Sequence, residues 1–344
     1  MSATRHRAAA VATVLAVALG PAAAGCGGRP AGGRGGGRVG VVVPFLTSPF
    51  WQAYNQDIPR QAAAQGVRVL PTVNSNGDAG QQITDVQTLL SEGVKGLVVS
   101  PIDSAAIVPG LRAAQRAHVP VVAVDVAPRS GKVAMVVRAD NRAYGRKACQ
   151  VLGRAVKTGK VVQIQGDLAS VNGRDRTSSF SGCMARHYPA IKVLNIPARW
   201  QADKAAAGLE ALYTANPGIK GIYLQAGGVY LAPTLRTLQR HNALVRAGSP
   251  RHITIVSNDG IPQELTAIRR GFIDATVSQP ADLYAKYAMY YIKRAMAGKT
   301  FHTGRTDHGS TVVELPGGIL QDQLPAPLVT RHNVDDPALW GNRR

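Results

Sequence analysis

The stretch Arg38 to Trp51, RVGVVVPFLTSPFW, breaks a continuous apolar run into a polar, proline-marked loop that carries two adjacent aromatic rings. The run Val39-Gly40-Val41-Val42-Val43 has no polar alternation, which suits a strand covered on both faces, as in a parallel sheet. Pro44 and Pro49 end it. Thr47 or Ser48 can then cap a helix through a side-chain oxygen, with Phe50 and Trp51 in its first turn, at the carboxyl end of the strand. Open α/β sheets bind their ligands at that end. The plainer alternative makes both rings core residues of an ordinary first helix, and the pattern of the remaining chain decides between them.

The first helix is expected to run to 65 and stop at Gly66, with Pro59 kinking or shortening it. Strands are then expected at 67–70, 96–100, 119–124 and 133–137, with helices at 81–91 and 105–117 between them. Asp125 closes the fourth strand, where a carboxylate after a buried run is unusual; a capping or turn role is the alternative. From Tyr144 the rhythm restarts. Helices at 144–156, 178–186, 204–215, 232–239 and 262–270 separate strands at 160–164, 192–196, 221–224, 253–256 and 275–277. Two βα series of similar layout imply an α/β protein of two similar doubly wound parallel-sheet lobes. Polar and aromatic residues again come after the strands: Arg174, Asp175 and Arg176, then Trp200, Gln225, Asp259 and Gln279. With the two carboxyl edges facing each other, all of these line one cleft.

At the N-terminus Arg5 and Arg7 precede the apolar segment 8–19, and Ala23-Ala24-Gly25 leads into Cys26. This is the pattern of a lipoprotein signal peptide, residues 1–25, too short in its apolar core to span a bilayer stably. Cys26 is then the expected lipid anchor, and 26–38, rich in glycine and arginine, a flexible tether. Roughly 300 residues remain, more than one core usually serves. The net charge of +20 would suit nucleic acid, but export makes that partner unexpected and the basic residues are scattered singly; they favour an anionic membrane face instead. Cys149 and Cys183 remain for an oxidising compartment, which favours a disulfide, although spacing leaves open whether their helices are neighbours.

No cofactor is expected. Gly33-Arg34-Gly35 precedes the first strand instead of coming after one, and Gly298-Lys299-Thr300 has Lys293 where a phosphate loop needs glycine. No metal site is expected from the eight histidines, which have no ligand spacing, and neither a His-Glu-x-x-His nor a Gly-x-Ser-x-Gly motif occurs. Asp125 with Asp259 would serve an enzyme as paired carboxylates, the one catalytic reading on offer, but no catalytic residue is assigned.

Several stretches, taken in order, carry a resemblance: Thr47-Ser48-Pro49-Phe50-Trp51, Val121 to Asp125, Ala139-Asp140-Asn141, Gly173-Arg174-Asp175-Arg176, Ser257-Asn258-Asp259-Gly260, and Ala275 to Pro280. The chain from about Arg38 to Leu315 resembles the periplasmic sugar-binding proteins of the ribose-binding type, the substrate-capturing subunits of bacterial ABC importers. The resemblance implies the type I fold, with lobes joined by a three-strand hinge crossing near Ala139, Gln279 and Gly309. The N-terminal lobe then takes 39–139 plus 280–309, the C-terminal lobe 140–279 plus 310–330, and 331–344 is a tail without strong pattern.

The resemblance also implies a pocket. Phe50, Trp51 and Trp200 match rings that sandwich the sugar, whose C–H faces are apolar. Asp125, Arg174, Asp259 and Gln279 match positions that hydrogen-bond hydroxyls, and Ser48 stands where the ribose binder has a longer amide. Val126 replaces an arginine and Ala226 an asparagine, with Gly227 and Gly228 next in the chain. Lost donors change selectivity, so another pentose, a hexose or a polyol is expected before ribose. The partners implied are ABC permease subunits with a separate ATPase, and the chain is expected to be an exported monomer, lipid-anchored on the outer face of the cytoplasmic membrane. A binding protein feeding a chemoreceptor or sensor kinase is the alternative. Related repressors carry a helix-turn-helix before the first strand, and here that region is signal and tether.

Overall fold

The computed structural model describes residues 37–343; the signal 1–25, Cys26 and nearly all of the 26–38 tether lie outside the described residues. The first lobe opens with β1 (Arg38–Val43), α1 (Pro49–Gln65), the short β2 (Arg68–Val69) and β3 (Val73–Asn74), α2 (Ala79–Ser91), β4 (Gly96–Val99), α3 (Val108–Arg116), β5 (Val121–Val124) and β6 (Met135–Ala139). The chain then crosses to the second lobe, which holds α4 (Asn141–Val156), β7 (Gly159–Gln165), α5 (Val171–His187), β8 (Ile191–Pro197), α6 (Ala202–Ala215) and β9 (Ile219–Leu224). It continues with α7 (Gly227–Arg240), β10 (Thr254–Asp259), α8 (Pro262–Arg269) and β11 (Ala275–Ser278). A second crossing returns it to the first lobe for α9 (Ala281–Met296), β12 (Gly304–Arg305), β13 (Thr311–Leu315) and β14 (Ile319–Leu324), and a third places β15 (Leu328–Thr330) in the second.

The first sheet runs β12-β13-β14-β6-β5-β4-β1-β2, with β3 also beside β1. Its strands are parallel except at one edge, where β13 pairs antiparallel with both β12 and β14. The second sheet runs β15-β11-β10-β9-β7-β8, parallel except for β15. The VGVVV run is buried at every position because both faces are covered. Val41 and Val43 join the core beneath α1 and α9, with Val98, Val122 and Val124. Val42 faces the opposite layer with Leu89, Leu97 and Leu111 from α2, β4 and α3. Gly40 is glycine because a Cβ there would sit 2.8 Å from Leu89 Cδ1, so the strand interior trades side-chain bulk for close approach of α2. The second lobe repeats the plan, with Val162, Ile164, Ile222 and Ile255 toward α6, α7 and α8, and Val161, Tyr223 and Val256 toward α4 and α5. Cys149 and Cys183 are bonded across these last two helices.

Three sequence expectations change. Residues 311–324 do not belong to the C-terminal lobe: β14 pairs with β6 in the first sheet, Gln321 beside Val136, so the third crossing falls between Leu324 and Leu328 and not near Gly309. The tail 331–343 is not featureless, since Val334, Leu339 and Trp340 are buried. Pro59 does not shorten α1, which continues to Gln65 with its cap at Gly66, φ 63°. Phe50 and Trp51 lie a full two turns before that proline and keep their places.

Candidate functional site

The carboxyl edges of the two sheets enclose a cavity of about 60 Å³. Its first-lobe wall includes Ser48, Phe50, Trp51, Ser100, Asp125 and Val126; its second-lobe wall includes Asn172, Arg176, Trp200, Ala226, Asp259 and Gln279. The lobes also touch around the cavity. Ser104 N–H donates to Ala169 O at 3.3 Å, and Val171 N–H donates to Ser104 Oγ at 2.9 Å. Arg138 of β6 donates to Asn172 Oδ1 at 2.7 Å and pairs with Asp175 at 3.2 Å. The arrangement is a closed one.

Each wall is built by local rules. Ser48 caps α1, accepting from Phe50 N–H at 3.3 Å, which turns the next two rings into the cavity mouth. Phe50 and Trp51 stand edge to face, centroids 5.2 Å apart, and both also pack in the first-lobe core, so the two readings of these rings are compatible. Asp125 and Asp259 occupy corresponding places after β5 and at the end of β10. Both have positive φ, 63° and 118°, a strained backbone that aims a carboxylate off the strand end. Trp200 also has positive φ, 59°; its backbone N–H donates to Tyr230 Oη at 2.8 Å and its ring stacks on Tyr230. A Cβ on Gly166 would lie 1.9 Å from that ring, so the glycine is what lets the indole reach the cavity.

Arg174, assigned to the pocket from sequence, is not in it. Its Nη1 donates to Leu168 O and Ala169 O at the surface, and Arg176 takes the cavity position instead. The cause is the start of α5, which begins at Val171 under a Ser170 cap instead of at 178. Residues two apart on a helix project about 200° from one another, so only one of the two arginines can face the cleft. The buried guanidinium donates to Asn141 Oδ1 at 2.5 Å, Gln279 Oε1 at 2.6 Å and Gln225 O, and lies 5.7 Å from the Trp200 ring centre. Burial opposes its charge, and Asp125, Tyr144 and Asp259 outweigh that, leaving its pKa raised. Gln279 Nε2 in turn donates to Asp125 Oδ1 at 3.2 Å.

Ala226-Gly227-Gly228 proves less impoverished than its side chains suggest. A Cβ on Gly227 would meet Glu264 Oε1 at 2.0 Å, and one on Gly228 would meet Ser48 Oγ at 2.5 Å. The glycines let the start of α7 close on both lobes, and Gly228 N–H donates to Asp259 Oδ2 at 2.8 Å. Gln225 itself is buried behind the wall, accepting from Gly166 N–H. Sequence reasoning missed Arg138, Asn172 and Ser100, and although it set Arg176 along the cleft it gave the ligand contact to Arg174. A helix started at Ser170 would have found Asn172 and Arg176. No local signal marks Ser100, whose buried Oγ has no hydrogen-bond partner among the described residues.

The periplasmic binding protein domain family matches residues 39–300. The chain belongs to that family. The ribose import binding protein of Bacillus subtilis is 27% identical to it over 266 residues, 76% of this chain and 82% of that protein. The xylitol-binding protein of Mycolicibacterium smegmatis is 28% identical over 265 residues, 76% of this chain and 72% of that one. A crystal structure of an ABC transporter solute binding protein from Mycobacterium smegmatis, with bound glycerol, matches at 26% identity and a TM-score of 0.73, covering 87% of this chain and 95% of that one.

In this periplasmic binding protein the cleft carboxylates are strongly perturbed. Burial raises Asp125, with Arg176 and Arg138 opposing. Burial also pushes Asp259 up to about 7 against the pull of Arg176, and pushes Glu264, directly beneath it, up to about 8 with Asp259 adding to the effect. Glu264 accepts from Gly260 N–H, Ile261 N–H and Thr276 Oγ1, which favours its charged form and works against the effect of burial. Carboxyls whose folded pKa is raised bind protons better folded than unfolded. Their contribution to stability is complete below the ordinary carboxyl pKa and declines as pH rises through the raised values. The melting temperature is expected to fall from about pH 5 to pH 8, each such group contributing a slope of up to about 1.4 kcal/mol per unit. Asp259→Asn should flatten that fall, and an equally steep fall in the variant would remove Asp259 as its source.

Proposed function

We propose that this chain captures a small carbohydrate or polyol between its lobes and hands the closed complex to the permease of an ABC importer. The observation that carries the reading is the cavity wall itself. Three aromatic rings offer faces for C–H groups, while Asp125, Asp259 and the Arg176 guanidinium offer charged hydrogen-bond partners to hydroxyls from both lobes. Ligand contacts from two lobes favour closure because only the closed arrangement makes them all. The curated relatives named for ribose and xylitol, and the solved relative with glycerol, support the same ligand class.

Size narrows the choice. One enclosed water needs about 10–15 Å³ on the measure that gives this cavity about 60 Å³, so a monosaccharide or a short polyol is the upper range of fit. Val126 and Ala226 make two patches of the wall apolar, which favours a polyol or a pentose other than ribose. A thermal-shift screen against pentoses, hexoses, inositols and four- to six-carbon polyols tests the reading, since a tight ligand raises the melting temperature by mass action. A hit names the cargo; a flat panel at millimolar concentrations would refute the carbohydrate class.

The rest of the proposal concerns the setting. Energy for uptake comes from a separate ATPase, the binding protein acts as a monomer, and Cys26 carries the lipid that holds it outside the cytoplasmic membrane. Cys26→Ala is expected to move the protein from the membrane fraction to the soluble one. Unchanged membrane association on fractionation would discard the anchor.

A further inference from the structure

The segment after β15 lies beyond the family match, which ends at residue 300, and it returns to the ligand site from behind. Trp340 is 3% exposed. Its ring meets the Phe50 ring edge to face, centroids 6.1 Å apart, and its Nε1–H donates to the backbone oxygen of Asp259 at 3.2 Å. Phe50 belongs to the first lobe and Asp259 to the second, and both line the cavity. Neighbouring tail residues repeat this bridging. Leu339 packs in the second-lobe core, and Asn342 accepts from Arg269 of α8 at 2.6 Å. Arg343 pairs with Asp282 in the first turn of α9, in the first lobe. Gly341 fits only without a side chain, since a Cβ would lie 2.3 Å from Gly260 O, beside Asp259.

We propose that Trp340 is a positioning residue for ligand binding, locking Phe50 of one lobe to the Asp259 backbone of the other and so slowing ligand release from the closed cleft. The idea rests on the cleft being the ligand site. Covalent hinge strands permit opening; the tail adds to the noncovalent links made by Ser104 and Arg138 another whose two halves separate when the lobes do. It touches no ligand, and acts by holding the ring and the carboxylate in register and by stabilising closure.

The test uses the exported chain with Trp340→Phe, Trp340→Ala and Arg343→Ala, and the best binder from the thermal-shift panel. Stopped-flow displacement should give dissociation about tenfold or more faster for Trp340→Ala, with a much smaller change in association. Trp340→Phe, which keeps the ring and loses the hydrogen bond, should fall between it and the parent. A tail that only stabilises the fold would lower the melting temperature and leave dissociation unchanged, and that result overturns the proposal. If Trp340→Ala does not fold, the same comparison is read from Trp340→Phe and Arg343→Ala. Small-angle X-ray scattering without added sugar separates the two readings: a larger radius of gyration in the variants supports the link even if no panel member binds, and identical radii with identical release rates refute it.

Discussion

Arg176→Ala is expected to cut ligand affinity by roughly 2–5 kcal/mol, on the order of thirty- to several-thousand-fold, while Arg174→Ala changes it by less than about threefold. Arg176 gathers Asn141, Gln225 and Gln279 around one guanidinium and offsets the charge of Asp125 and Asp259. Removing it leaves two buried carboxylates without their nearest cation, and both would take up protons or draw water into the cleft. Arg176→Lys should recover little, because one ammonium cannot span three acceptors held in different directions. Titration calorimetry of the two alanine variants side by side decides the matter. Equal losses would return Arg174 to the site, and no loss in either would remove this wall from ligand binding.

Trp200→Ala should weaken binding by an amount comparable with a buried aromatic anchor, about 2–4 kcal/mol, with a small change in melting temperature. The indole covers the cavity from the second lobe and lies over Arg176, so its loss exposes the guanidinium to water as well as removing a stacking face. The N–H bond to Tyr230 belongs to the backbone and survives the change. Trp51→Ala is a poorer probe, because Trp51 also fills the first-lobe core and its truncation would cost folding stability of about 3–5 kcal/mol besides. If Trp200→Ala binds like the parent, ligand does not stack on this side.

Much of this is legible in the sequence because strands covered on both faces announce themselves. The VGVVV run and its counterparts at β4, β5 and β10 read correctly, and the placement of Asp125 and Asp259 at strand ends comes with them. The start of α5 is harder. Val171-Asn172-Gly173-Arg174-Asp175-Arg176-Thr177 has a glycine and no apolar stripe, so periodicity does not extend the helix back to Ser170 and leaves the resemblance, which favours Arg174, uncorrected. Strands β13, TVVEL, and β14, ILQDQL, keep no regular alternation of polar and apolar residues, and nothing local says which of two sheets will accept them. Trp340 stands in a stretch of turns, and its burial depends on partners far away in sequence.

The bond between Cys149 and Cys183 has a consequence in time. It joins α5, which carries Arg176, to α4, whose Asn141 receives that arginine's Nε–H. Thiols stay reduced in the cytosol, so the bond forms only once the chain has left it. A newly made chain awaiting export is thus missing the brace behind its own guanidinium. Until oxidation, α4 and α5 are held together by packing and hydrogen bonds alone, so the setting of Arg176 is completed by a redox step as well as by folding.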